Sequence, residues 1–345
     1  CCSGRRAAQN LESPNATPHA ARTPLLKRNH TPQPSGSNTA QFPPTEGLVV
    51  AAYGRHCLVE SLDGERRICH PRGKKSQVVV GDRVQWLAST DEGTIEKVVQ
   101  RKNLFYRQDE IRTKSFAANV DQLLVWIAAE PEFSENQLAR ALIAAKAQGI
   151  EAIIVLNKLD LGANFDRAWT RLLPYQAMGY TVLAISASPK ADLSPEQQII
   201  SNQSRLQLEA ALKGKSTLVL GPSGTGKSTI INQWVPTAGA HTQEISKALN
   251  SGKHTTTSTT LYWIDAQKTT AVLDSPGFQE FGLHHISAQD LDKLMPDFAV
   301  HVGNCRFYNC THRHEPQCAV TQFRQAGTPS STISEERYRI YNSLY

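Results

Sequence analysis

No run of 18 or more apolar residues occurs in the 345-residue chain, which excludes a membrane-spanning helix. No apolar h-region lies near the start, so a secretory leader is not expected. Charge of one sign is scarce once the total is divided. Residues 1–45 hold Arg5, Arg6, Arg22, Lys27 and Arg28 against Glu12 alone, a net +4 out of the chain's +6. The rest is nearly neutral, so only local patches can argue for a nucleic-acid partner. Of the seven cysteines, Cys305, Cys310 and Cys318 cluster and the others are scattered. An odd count with one tight cluster is no secreted disulfide framework; it fits a reducing compartment and a metal site.

What is present divides the chain into segments, and its length suits two or three domains. Residues 1–45 are rich in Pro, Ser, Thr, Asn and Ala and have almost no apolar periodicity. They cannot offset ordering entropy by burial and read as a disordered basic tail, with an organellar transit peptide as the alternative. Residues 46–112 carry short β-rich runs at Gly47–Ala52, Cys57–Ser61, Arg67–His70, Val78–Val80, Arg83–Leu87 and Thr94–Val99. Such spacing predicts a small closed all-β barrel. Two basic clusters, Arg66, Arg67, Arg72, Lys74, Lys75 and then Arg101, Lys102, Arg107, Arg112, Lys114, are compatible with an RNA-binding OB fold or with a solvated loop surface. Residues 113–285 alternate apolar strands (Gln122–Ala128, Ala152–Leu156, Thr181–Ile185, Thr217–Leu220, Thr270–Leu273) with helices expected at Glu135–Gln148 and Phe165–Met178. That alternation predicts a parallel α/β sheet. Residues 286–345 hold the cysteine cluster and a final helix from Ser334.

Gly221-Pro222-Ser223-Gly224-Thr225-Gly226-Lys227-Ser228 fits G-x-x-x-x-G-K-[ST] directly after an expected strand. The Gly-rich backbone from Gly221 through Ser223, Gly224, Thr225 and Gly226 can curl its N–H groups around phosphates. A helix opening at Lys227, Ser228 and Thr229 adds its positive dipole end. Lys227 would reach the β- and γ-phosphates, and Ser228 would bind Mg²⁺. Asn157-Lys158-Leu159-Asp160 follows a second strand and resembles the base-reading motif of GTPases. Asp160 can accept two hydrogen bonds from guanine N1–H and N2–H₂; adenine offers neither. Ser186-Ala187 follows a third strand and matches the segment that contacts the guanine oxygen. Asp274-Ser275-Pro276-Gly277 resembles Asp-x-x-Gly, with Asp274 holding Mg²⁺ through water and the Gly277 N–H sensing the γ-phosphate; the same residues make a Pro-Gly turn. Between the phosphate loop and Asp274 lies Gly252-Lys253-His254-Thr255-Thr256-Thr257. A Thr of this run, taken as Thr256, would close over Mg²⁺.

Ordinary GTPases place the phosphate loop first. Here Asn157–Asp160 and Ser186-Ala187 precede it, an order that circular permutation of the same sheet produces. The pattern closely resembles the RsgA (YjeQ) family of small-ribosomal-subunit biogenesis GTPases. The resemblance runs from about Gly47 to Tyr345 and rests on Val80-Gly81-Asp82-Arg83-Val84, Ala118-Asn119-Val120-Asp121-Gln122, the nucleotide motifs above, and Cys305-x4-Cys310-x-His312-x5-Cys318. It implies an OB-fold barrel, a circularly permuted P-loop GTPase domain and a zinc-binding domain in a cytoplasmic, non-membrane protein, expected to be monomeric. It also implies a GTPase that binds the maturing small ribosomal subunit and its rRNA as a late checkpoint, with hydrolysis stimulated by the subunit. Three thiolates and one imidazole also satisfy a closed tetrahedral zinc site on their own chemistry. His314 competes for the fourth place, and the family pattern favours His312.

In Ras-like enzymes a Gln after the Asp-x-x-Gly turn positions the attacking water. Phe278 stands there and cannot hydrogen-bond water, so slow intrinsic turnover is expected. The resemblance points to His254 as the substitute, with packing or RNA contact as its other reading. Three further readings compete: an RNA-docking module with a structural nucleotide, an ATP-using P-loop kinase, and a permuted GTPase serving the large subunit.

Overall fold

The computed structural model describes residues 44–73, 77–89, 92–238, 258–277, 281–325 and 333–345. Its first five strands are β1 (Thr45–Tyr53), β2 (His56–Ser61), β3 (Arg66–Pro71), β4 (Arg83–Ala88) and β5 (Gly93–Val98). They run in the order β1-β2-β3-β5-β4, and β4 pairs back onto β1, closing a five-stranded OB-type barrel. Inward alternation fills it with Val49, Cys57, Val59, Cys69, Val84, Trp86 and Ile95. The expected sixth strand at Val78–Val80 is a loop. Its backbone groups are taken elsewhere: Val79 N donates to the Asp82 carboxylate at 2.9 Å, and Val80 O accepts from Ala118 N at 2.9 Å. Five residues of the basic clusters read from sequence pair with acids. Arg66 pairs with Glu60, Arg67 with Glu65, Arg72 with Glu96, Arg101 with buried Asp82, and Lys102 with Asp121.

β6 (Leu104–Gln108) and β7 (Thr113–Ala118) form a separate hairpin against the barrel. The join is made by two of the sequence motifs. Asn119 donates from its amide to Gly81 O and accepts from Lys102 N, both at 2.8 Å. Gly81 has φ +88°, and a Cβ there would lie 2.1 Å from Ala118 O, so only glycine fits.

The central sheet is built from β8 (Gln122–Ala128), β9 (Glu151–Asn157), β10 (Thr181–Ala184), β11 (Ser216–Leu220), β12 (Thr260–Trp263) and β13 (Ala271–Asp274). Its order is β10-β9-β8-β11-β13-β12, parallel up to β13, with β12 antiparallel. Both faces are buried, which explains the unbroken apolar runs. Along β8, Leu123, Val125 and Ile127 enter one core while Leu124 and Trp126 enter the other. The flanking helices are α1 (Glu135–Ala147), α2 (Ala163–Thr170), α3 (Leu173–Ala177), α4 (Pro195–Leu212) and α5 (Lys227–Trp234). The single helix expected over Phe165–Met178 is two, α2 and α3. Pro174 lacks an N–H and is tolerated only in the first turn of a new helix. Apolar periodicity does not mark α4, because Ile199, Ile200 and Leu206 face solvent; its sequence signal is the Ser194–Gln197 capping box.

β1 also extends the central sheet, pairing with β12 at Ala51 and Thr260. A buried carboxylate reinforces that seam: Glu60 accepts from Trp263 Nε1 at 2.9 Å, Lys268 Nζ at 2.8 Å and Arg66 Nε at 2.7 Å. Burial alone would raise the Glu60 carboxyl, but these donors hold it below the usual range. The C-terminal segment contributes α6 (Leu291–Leu294), α7 (Pro296–Val302), α8 (Ala319–Gln325) and α9 (Glu335–Leu344), the last capped by Ser334 as expected. Buried Arg337 binds Asp297 through two 2.8 Å bonds and lies 5.4 Å from the ring of Tyr175 in α3. That contact ties the segment to the sheet's helices.

Gly81→Ala is expected to destabilise the protein by about 1–3 kcal/mol or more through strain at the barrel–hairpin joint. A lower urea midpoint at unchanged m-value would show it.

Candidate functional site

Parallel strands present their C-terminal ends on one edge of a sheet, where α/β proteins bind ligands. Four such ends converge here. β9 delivers Asn157–Asp160, β10 delivers Ser186-Ala187, β11 delivers Gly221–Ser228 and β13 delivers Asp274–Gly277. The sequence-expected nucleotide residues on these four stretches are thus brought together. His254, Thr255, Thr256 and Thr257, and also Phe278, lie outside the described residues.

The glycine loop is held by its neighbours. A Cβ on Gly221 would lie 2.0 Å from Trp126 O. Gly226 has φ +92°, and a Cβ there would lie 2.5 Å from Asn157 Nδ2. Ser228 and Thr229 follow Lys227 in the first turn of α5. Lys227 is buried and donates to Gly221 O at 2.8 Å and Pro222 O at 2.6 Å, so its ammonium curls over the loop. Thr225 O accepts from Trp126 Nε1 at 2.9 Å and from Asn157 Nδ2 at 2.8 Å. The other end of that amide, Asn157 Oδ1, accepts from Ala187 N at 2.8 Å. Asn157 is therefore a strut between three motifs. Asp160, half-buried, accepts from Ser186 Oγ at 2.8 Å.

Sequence reasoning missed the supports behind this edge. Ser201 and Arg205 of α4 bind the Ser186 backbone, and Gln233 of α5 donates to Ala187 O. Their only signal would have been the polar residues within helices α4 and α5. Ser275 is also structural: its buried hydroxyl donates to Val219 O at 2.7 Å and fixes the turn after β13. Gly277 in that turn packs on the phosphate loop, and a Cβ on it would lie 3.2 Å from Ser223 N. Burial pushes the Asp274 carboxyl up to about 6, with the Lys227 ammonium pulling against it. Burial lowers the Lys227 pKa, and Asp274 opposes that shift.

A second constellation lies in the C-terminal segment. The candidate ligand atoms of Cys305, Cys310, His312 and Cys318 all fall within 4.8 Å of one another and could hold a metal ion. His312 Nδ1 is 3.5 Å from Cys305 Sγ and 3.4 Å from Cys318 Sγ, and the two sulfurs are 4.0 Å apart. Tetrahedral thiolate–imidazole coordination needs edges of roughly 3.6–3.8 Å, so the donor set fits. His312 Nε2 is 3.0 Å from Asp292, which fixes the ring with Nδ1 toward the sulfurs. No sequence spacing announces Asp292, 20 residues earlier. His314 is exposed and outside the cluster; Glu315 closes the knuckle by accepting from Thr311, Arg313 and His314 backbone N–H groups.

The glycine loop, the base-side motifs and their order along this sheet define a circularly permuted P-loop GTPase. The RsgA GTPase family model matches residues 98–284. Curated relatives called small ribosomal subunit biogenesis GTPase RsgA include one from Variovorax paradoxus, 60 % identical over 93 % of this chain and 98 % of its own length. Another, from Burkholderia pseudomallei, is 46 % identical over 92 % of this chain and 97 % of its own. The crystal structure of YjeQ from Thermotoga maritima has a TM-score of 0.62 at 29 % identity, covering 87 % of this chain and 96 % of that one. YloQ, described as a circularly permuted GTPase, has a TM-score of 0.61 at 25 % identity, covering 90 % of this chain and 96 % of that one. The chain belongs to the RsgA GTPase family.

Asn157→Ala removes the side-chain bonds to two buried backbone groups, the Ala187 N–H and Thr225 O, at about 1–3 kcal/mol for a group left unmet. The expected result is a lower urea midpoint together with GTP affinity reduced by about tenfold or more, read by nucleotide titration.

Proposed function

We propose that this GTPase binds the maturing small ribosomal subunit through its rRNA, hydrolyses GTP in response, and then dissociates, as a late checkpoint in assembly. The observation that carries the reading is the convergence of Asn157, Asp160, Ser186, Ala187, the Gly221–Ser228 loop and Asp274 on one sheet edge, in a chain whose relatives are called small ribosomal subunit biogenesis GTPases. In this reading the chain is a cytoplasmic monomer. A tail over 1–45, a barrel over 46–112, a GTPase domain over 113–285 and a zinc-binding domain over 286–345 divide the work.

Guanine is read by Asp160, with Lys158 beside the ring and Ser186-Ala187 at its oxygen. Asn157 holds the base-side segment against the phosphate loop. Lys227 exchanges the carbonyls of Gly221 and Pro222 for β- and γ-phosphate oxygens. The N–H groups of Ser223–Thr229 line the phosphates, and the Gly277 N–H meets the γ-phosphate. Ser228, Asp274 and Thr256 hold Mg²⁺, which offsets phosphate charge. The raised Asp274 carboxyl must lose its proton to do so, so Mg²⁺ binding weakens as pH falls below about 6. His254 orients the attacking water where Phe278 cannot. Cys305, Cys310, His312 and Cys318 hold one structural Zn²⁺, which staples a loop-rich segment.

The test is GTP hydrolysis with and without purified small subunits, with large subunits and ATP as controls. Stimulation by small subunits alone is expected, and His254→Ala should lower the stimulated rate by about 10²-fold or more while GTP still binds. Slow, unstimulated hydrolysis despite tight GTP binding would favour an RNA-docking module with a structural nucleotide. Metal analysis should find zinc in the purified protein, lost in Cys310→Ser with a lower Tm.

A further inference from the structure

A cleft of about 480 Å³ opens where the barrel, the β6–β7 hairpin and the nucleotide edge meet. Tyr53 and His56 supply rings to its wall, Val79 and Phe116 apolar surface, Lys114 an ammonium, and Thr259 and Pro276 its inner side. None of the described lining residues is acidic. Lys114 Nζ stands 5.8 Å over the Phe116 ring. Burial and the neighbouring Arg107 guanidinium both lower its pKa, so an anion here would relieve a crowded cation. The Tyr53 hydroxyl is buried beside the cleft without a hydrogen-bond partner among the described residues.

We propose that this cleft receives one unstacked nucleotide of a single-stranded RNA segment, its base against Tyr53 and His56 and its phosphate on Lys114. The chemistry is that of single-strand recognition: ring faces that tolerate any base, next to a cation for the backbone. The site has a consequence for turnover. Pro276 adjoins Gly277, which packs on Ser223 of the phosphate loop, and Thr259 leads into β12. A nucleotide in the cleft therefore presses on both stretches that lead into the nucleotide edge. The proposal deepens the subunit-binding function above and rests on it: an RNA segment displayed by the small subunit is what the GTPase senses.

The experiment uses the full chain with GDP saturating the GTPase site. A fluorescent six-nucleotide single-stranded RNA is titrated at several salt concentrations, with AMP as competitor. Lys114→Ala should weaken binding and reduce the log–log salt slope by about 1. His56→Ala should weaken binding by about 5- to 150-fold at unchanged slope, and His56→Phe should restore it. In parallel, both alanine variants should keep their unstimulated GTP hydrolysis and lose most of the stimulation by small subunits. Wild-type RNA binding and stimulation in both variants overturns the proposal, as does full competition by AMP, which would make a free mononucleotide the ligand. A photoreactive benzoylphenylalanine at Ser115 should crosslink rRNA on the subunit; a crosslink to a ribosomal protein instead also overturns it. If the wild-type chain shows no stimulation at all, the checkpoint function fails, and the RNA titration still decides the cleft.

Discussion

The carboxamide of Asn157 sits where three distant stretches of chain meet, and the nucleotide edge depends on it. One end takes the Ala187 N–H, the other gives to Thr225 O in the phosphate loop. Both contacts are buried, where an unmet polar group is costly, so the three segments hold one another in register. Because these bonds join side chain to backbone across strand ends, they do not depend on which segment comes first in the chain. That indifference is what allows the permuted order: the sheet β10-β9-β8-β11-β13-β12 presents the same edge whichever half is translated first.

Permutation also decides what is attached to the switch side of the sheet. β12 and β13, which flank the Asp274 turn, carry the barrel through the β1–β12 pairing and the Glu60 carboxylate. On another side the cysteine-bearing segment is tied by the Arg337–Asp297 pair against Tyr175. Both appended parts therefore rest on elements that also shape the GTPase core. The barrel keeps an interior cluster of its own, while Val50 and Val80 on its outer side join the large core of the hairpin and central sheet, so apolar packing and the polar seam hold it together.

Much of the edge was legible in the residues. The Gly221–Ser228 loop, the strands leading to Asn157 and Asp274, and the Cys305–Cys318 spacing each have a local chemical reason. The glycines illustrate it: φ +92° at Gly226 and the 2.0 Å approach at Gly221 leave no room for a side chain. Less legible were parts whose character is set by neighbours. Val78–Val80 has strand-like residues but spends its backbone on Asp82 and Ala118. The Phe165–Met178 stretch has helical periodicity but is divided ahead of Pro174. The hairpin β6–β7 carries little alternation because its burial is bunched at Phe116–Ala118, and α4 lacks a clean apolar face because Ile199, Ile200 and Leu206 turn to solvent.

By itself the sequence determined the type of each motif and the order of the motifs along the chain, because phosphate loops, base-reading turns and thiolate spacings are built from near neighbours. Tertiary structure alone decided the role of Asn157 as a strut, the capture of His312 by Asp292, the pairing of Arg101 with buried Asp82, and the cleft beside Pro276. Those features join residues tens of positions apart, and no local preference encodes which distant groups the packed sheet will bring within hydrogen-bond reach.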